Sequence, residues 1–289
     1  MSRLALIALA AVLAGCGSAP KEKNTAALQA AALEANRKGD TYVRHNELEN
    51  AARSYREAMR LSQSLEDADG IAANAINLSI VRQRQGRFGD ARAALREVLE
   101  HSNLRFSAAR LAEAALRHAL VDFDERRYAS AADWTKRAAE HCARSGGQRC
   151  AVSGAIHNTR AQLALQEDRL DAAIASARAG LDASRSEDER AERANSLRLL
   201  GLAALRTGDG KAARAHFEQA LLIDRDLGAP RKIALDLLGL GRAATLGGDR
   251  DGARAFYARA LAVSEADRDN AGVAEARAAL ASVEAASGK

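Results

Sequence analysis

The chain has 289 residues, 47% hydrophobic, 3% aromatic and 28% charged, with 43 basic against 38 acidic side chains and a formal charge of +5. The two signs are interleaved, as in Arg53–Glu57 and Arg92–Arg96–Glu97, so the charge forms solvated helix faces and not the aromatic-studded basic patch of a nucleic-acid binder. Ala supplies much of the apolar count and only Pro20 and Pro230 break the chain. That composition excludes a sheet protein and predicts an all-α one.

In chain order, Arg3 precedes an apolar run from Leu4 to Leu13. The run is too short to span a bilayer core, which takes ~20 residues, and has the form of a secretory signal. It ends in Leu13-Ala14-Gly15-Cys16, which resembles the lipobox of bacterial lipoproteins. The resemblance implies a signal peptide over 1–15, acylation of Cys16, and attachment to the membrane through that N-terminal lipid. Because Gly17 and not Asp follows, it also implies sorting to the outer membrane, facing the periplasm. Each buried methylene is worth ~0.8 kcal/mol, and two or more chains hold stably. Residues 16–25 are polar and without period, and are expected to be the lipidated tether.

Helical periodicity then predicts pairs at 26–44 and 47–63, 66–85 and 88–102, 105–124 and 128–143. It continues at 149–166 and 170–184, 188–206 and 210–225, 230–246 and 250–266. A last helix, about 269–286, carries Val273, Leu280 and Val283 on one side and suits a solvating cap, so 267–289 reads as capping helix and tail. Cys142 and Cys150 flank a Ser-Gly-Gly loop signal between two of these helices. A disulfide there would staple the hairpin, as an oxidising compartment allows. A zinc reading would recruit His141 and His157, but further ligands at short spacing are missing.

The pairs repeat. A small residue in the second helix falls at Ala51, Ala91, Ala131, Ala173, Ala213 and Ala253, spaced 40, 40, 42, 40 and 40. In register with it run Gly39, Ser79, Ala119, Ala161, Gly201 and Gly241, a bulky column of Tyr55, Leu95, Thr135, Ala177, Phe217 and Tyr257, and a second small column of Ala58, Val98, Ala138, Gly180, Ala220 and Ala260. Small residues are needed where helix axes approach to ~8–10 Å. The clearest copy is Leu200-Gly201 with Gly208-Asp209, then Ala213, Phe217 and Ala220-Leu221. It resembles the tetratricopeptide repeat, and the motif recurs forty residues on. The resemblance implies a right-handed α-solenoid of about six hairpins over 26–266, with the residues beyond the usual 34-residue repeat lengthening both helices and the loops, as in Asp224–Pro230. Repeats of about this length occur in kinesin light chains, a likeness of geometry.

The same resemblance implies a concave groove lined by first-helix residues. Its candidates are Asn36, Arg37, Arg44, Asn77, Arg84, Arg117, Asn158, Gln162, Asn195, Arg198, Arg206 and Arg242. Asn can hold an extended backbone through donor and acceptor, and Arg a carboxylate bidentately. Arg44, Arg84 and Arg206 also sit where a cation satisfies the last carbonyls of a helix. Trp134 reads as packing between repeats, and Glu187-Asp188-Glu189 as acids opening a helix. There is no HExxH, Cys-x-x-Cys, GxSxG or phosphate loop, so neither enzyme, cofactor nor metal site is expected. The expected function is a lipid-anchored, periplasm-facing scaffold that binds an envelope protein or peptide partner in assembly or secretion. Lipid-anchored repeat proteins such as pilotins share this plan. A docking regulator of a cell-wall enzyme and self-association through the open ends are the competing roles.

Overall fold

The structure, a computed structural model, describes residues 21–100, 103–145 and 150–285. The signal, Cys16, most of the tether and the Gly146-Gly147 turn lie outside the described residues. Thirteen α-helices follow one another and no strand occurs among the described residues. They are α1 (Lys21–Arg44) with α2 (Leu48–Ser64), α3 (Ala68–Arg84) with α4 (Phe88–Leu99), and α5 (Ala108–Asp124) with α6 (Tyr128–Ala143). Then come α7 (Ser153–Gln166) with α8 (Leu170–Ala183), α9 (Arg190–Arg206) with α10 (Gly210–Asp226), α11 (Pro230–Leu246) with α12 (Arg250–Ala266), and the cap α13 (Asn270–Ala285). Each second helix packs on its own first helix and on the first helix of the next hairpin, and successive first helices from α3 onward also touch one another. The result is a solenoid in which the first helices share one face.

Three boundaries differ from expectation. α1 begins at Lys21, so the tether does not extend to residue 25. α4 stops at Leu99, where residues 103–107 form bends and extended chain before α5. The loop before Pro230 is not lengthened: α10 continues through Asp226 and leaves three residues before Pro230, which opens α11 at its first turn, whereas eight residues, 100–107, separate α4 from α5. In the last two hairpins the extra length of the repeat therefore resides in helices, each of 17 residues, while in the middle hairpins, with helices of 12 to 14 residues in α4, α7 and α8, the connections carry part of it.

Small and bulky columns explain the nesting. All six alanines of the first column are 0–1% exposed. Their glycine partners are buried against the aromatic column: a Cβ on Gly39 would lie 2.5 Å from the Tyr55 ring, on Gly201 2.9 Å from Phe217, and on Gly241 2.3 Å from Tyr257. Where the glycine is replaced by Ser79, Ala119 or Ala161, the partner column shrinks to Leu95, Thr135 and Ala177. Volume is exchanged between the two helices of a hairpin so that density stays near that of a close-packed interior.

The hairpin turns are equally regular. Each first helix ends with the 6→1 and 5→2 backbone bonds of a Schellman motif, for example Arg127 N to Asp122 O at 2.8 Å and Arg126 N to Phe123 O at 2.9 Å. The motif needs one residue at positive φ, and it falls at Asn46, Gly86, Arg126, Asp168, Gly208 and Gly248. Gly, Asn and Asp tolerate that region, whereas a long side chain such as Arg126 is strained by roughly 1–2 kcal/mol. Arg126→Gly is expected to raise stability by about 0.5–1 kcal/mol, the relief of strain outweighing the added freedom of the unfolded chain. Paired denaturation curves read it, and a lowered midpoint would contradict the assignment.

Cys142 at the end of α6 and Cys150 before α7 are joined, their Cα atoms 5.5 Å apart. Closing so short a loop is worth ~2–3 kcal/mol by loop-closure entropy. Reduction should therefore lower the melting temperature, and Cys142→Ser should reproduce the loss without further sensitivity to reductant. The acidic triplet forms a short 3₁₀ turn over Glu187–Glu189 closed by a capping box between Ser186 and Glu189, as acids at a helix start favour. Trp134 stacks on His118 at 4.1 Å within its own hairpin, with Arg137 over the ring; the pairing of α5 with α6, more than packing between repeats, accounts for it.

Candidate functional site

The first helices of the last three hairpins and the cap enclose a concave cavity of about 520 Å³. Leu165 and Leu199, buried, form its floor with half-buried Leu202 and Leu205, while Leu235 stands 41% exposed on its wall. These leucines recur on α7, α9 and α11 because those helices are apolar on two faces: one packs on the second helices, the other lines the hollow. Gln162, Gln166, Asn195, Arg206, Lys232 and Arg242 form the polar rim. Such a surface, apolar below and amide- and cation-lined above, suits an extended segment with apolar side chains and acidic groups.

The expected groove residues fall into three sets, with Arg198 in the first two. Gln162, Asn195, Arg198, Arg206 and Arg242 all line the cavity. Arg206 donates to the Leu165 carbonyl and to Asp168 Oδ1, each at 3.1 Å, and Arg242 to Glu275 Oε1 at 2.6 Å. Arg84 does the same three hairpins earlier, donating to Asn46 Oδ1 at 3.0 Å and to the Val43 carbonyl at 3.5 Å. Both arginines thus satisfy the last turn of the preceding first helix, not of their own.

A second set bonds to the next hairpin, Asn36 half-buried and Asn158 and Arg198 buried. Asn158 is 4% exposed, donates to the Glu192 carbonyl at 3.0 Å and Glu192 Oε2 at 2.9 Å, and accepts from Ser196 Oγ at 2.7 Å. Asn36 donates to Asn74 Oδ1 at 2.8 Å. Arg198, 7% exposed, donates through Nε to Asp236 Oδ1 at 2.7 Å and pairs with Asp224. The groove assignment of Asn36 and Asn158 is therefore corrected. Residues 36, 76, 116, 158, 198 and 238 share one register, which faces the next first helix, so its polar members bridge hairpins where Leu116 and Leu238 pack. Sequence reading placed them on the right helix but not on its correct face; the partners lie 34–38 residues on.

The third set lies outside this cavity. Arg37 and Arg44 are exposed and Asn77 half-buried. Arg117 is half-buried with only Ser79 Oγ, at 3.4 Å, as acceptor among the described residues, and burial lowers its pKa to about 10. Lys232, which sequence reading missed, is accessible yet recessed among α9 and α11. Burial, then Arg198, holds its pKa below the usual lysine value against the pull of Asp224. A +34 offset from Arg198 to Lys232 carries no motif, so no sequence signal would have found it.

Residues 192–266 match the tetratricopeptide repeat family, the stretch in which the glycine and aromatic columns are intact. Comparison with curated proteins finds no matching relative. Among solved structures, the fold is similar to BtubC from P. vanneervenii, at 22% identity over 84% of this chain and 93% of that one with a TM-score of 0.58. It is also similar to a Rap protein complexed with competence and sporulation factor, at 16% identity over 92% and 72% with a TM-score of 0.65. Aspartyl phosphate phosphatase F from Bacillus subtilis matches at 15% identity over 90% and 70%, TM-score 0.55. At these identities the likeness is one of fold, a tetratricopeptide-like solenoid.

Proposed function

We propose that this protein is a scaffold that holds a partner protein or peptide in its concave groove, and that it does so as a lipid-anchored adaptor of the bacterial envelope facing the periplasm. The observation that carries the binding role is the hollow itself: accessible leucines on α9 and α11 over a floor that includes Leu165 of α7, rimmed by amides and cations, within a fold whose stacking leaves that face uncovered. The solenoid neighbours support the architecture. The anchor rests on the sequence ending in Cys16, and the paired Cys142 and Cys150 agree with an oxidising compartment.

Affinity capture from crosslinked membranes tests the first part. Leu235→Arg places a charge on the exposed wall without touching the core, and should abolish capture of the partner while leaving the melting curve unchanged. Captured secretion or assembly subunits support the adaptor role, and a captured wall hydrolase the regulator. Equal capture by both proteins would overturn the groove as the binding face. Cys16→Ser should move the protein from the membrane to the soluble fraction, and retention would overturn the anchor.

A further inference from the structure

The array curls far enough that its first two hairpins approach the turn between α10 and α11. A second cleft, of about 380 Å³, is lined on one side by Arg44, Asn46 and Arg84 and on the other by Arg231, Lys232 and Asp267. Four cations face one carboxylate, and Asp267 Oδ2 already accepts from Arg231 Nε at 3.1 Å. The acceptors of Arg84 are neutral, Asn46 and the Val43 carbonyl, and Arg44 donates to Thr41 Oγ1 at 2.9 Å. Lys232 has no carboxylate within ion-pair range among the described residues.

Elsewhere several cations that bridge hairpins meet acids: Arg82 with Glu49, Arg92 with Asp122, Arg110 with Asp69, Arg206 with Asp168. The cleft departs from that pattern where two stretches remote in sequence come together. Like charges there repel and favour opening of the curl unless a counter-charge sits between them. Burial, then the facing Arg231, pushes the pKa of Arg84 down against the opposing pull of Asp267, so repulsion across the cleft is not fully offset.

We propose that this cleft is an oxyanion site, in which a carboxylate or phosphate bridges Arg84 to Arg231 and Lys232 and draws the first hairpins onto the α10–α11 turn. Lys232 lines both this cleft and the concave cavity, so closure would narrow the entrance to the groove. The site stands apart from the partner-binding reading, since a free anion would fill it with the groove empty.

Titration calorimetry on the full chain at low salt, with inorganic pyrophosphate and separately with an oligoglutamate peptide as probes, tests it, alongside small-angle scattering. At least one probe is expected to bind and to reduce the radius of gyration; pyrophosphate alone points to free phosphate, oligoglutamate alone to polypeptide carboxylate. Arg84→Gln and Arg231→Gln should each weaken binding about tenfold, the equivalent of ~1.4 kcal/mol, and remove the compaction. Arg53→Gln, exposed and remote on α2, should bind as the unaltered protein does. Neither side chain belongs to the core, so both variants should melt normally, which separates loss of the site from loss of the fold. Failure of both probes to bind, binding without compaction, or binding unchanged in Arg84→Gln and Arg231→Gln would overturn the proposal.

Discussion

Phe217→Ala is expected to destabilise the C-terminal hairpins by about 3–5 kcal/mol, the cost of a large cavity that neighbours cannot fill. Phe217 is 0% exposed, and its ring lies between two glycines of successive first helices: a Cβ on Gly201 would approach it to 2.9 Å and on Gly239 to 2.4 Å. The backbones of α9 and α11 are thus spaced by one ring. Helices held that way cannot collapse on the void without breaking their contacts with α10. Because a solenoid's stability is a sum of repeat and nearest-neighbour contributions, the loss should be local. Hydrogen exchange should accelerate across α9–α13 and stay near its original rate in α1–α4.

The complementary substitution sharpens the argument. Gly239→Ala gains about 1 kcal/mol of helix propensity, yet overpacking against the ring costs about 1–3 kcal/mol and should win in the intact protein. In the Phe217→Ala background the ring is gone, so the same change should become stabilising. A double-mutant cycle therefore predicts a sign reversal. Additive effects, or a Phe217→Ala cost below about 1 kcal/mol, would mean that the ring does not set the spacing.

The second large effect is expected at Arg198. Its guanidinium is the charge partner of Asp224, 2% exposed, and Asp236, 0% exposed. Arg198→Met keeps the volume but leaves two carboxylates buried beside each other, a loss of about 3–5 kcal/mol near neutral pH. Even with Arg198 present, burial pushes Asp236 up to about 7, with Asp224 adding to the rise and Arg198 opposing it. The folded pKa thus exceeds the unfolded one. Between the ordinary carboxylate range and about 7 the native state binds more protons, so the stability contributed by Asp236 falls as pH rises through that window. Removing the guanidinium moves the upper end of the window higher, and Arg198→Met should recover stability as pH is lowered.

Adding Asp224→Asn and Asp236→Asn to that variant removes the unpaired charges and should restore most of the loss at neutral pH. Denaturation at several pH values reads both results. A penalty for Arg198→Met that is the same in mild acid and at neutral pH would assign it to packing and not to charge.

The family resemblance, the order of the helices and their turns were legible in the sequence because they rest on local or periodic features, whereas helix ends such as those of α1 and α4 were not. The turn positions at 46, 86, 126, 168, 208 and 248 keep the same spacing as the alanine column, since one left-handed residue is needed per hairpin. The glycine-to-aromatic exchange could also be read along the sequence, as whenever one column grows its partner shrinks. The site was legible in part. The five groove residues on α7, α9 and α11 were found by carrying a register forward, whereas Asn36 and Asn158 were misassigned because a polar residue on a first helix can face either the hollow or the next helix. A rotation of one residue position, ~100°, separates the two outcomes.

What the sequence by itself determined, then, is the repeat: helix order, turn residues and the small-against-large columns follow from interactions within one hairpin or between adjacent ones, and these leave a periodic trace. What only the tertiary structure decided is how far the stack curls. That depends on small rotations added over six hairpins, which no single residue encodes. It brings Arg84 of the second hairpin opposite Arg231 of the sixth. It also recesses Lys232 where the hollow and the cleft meet.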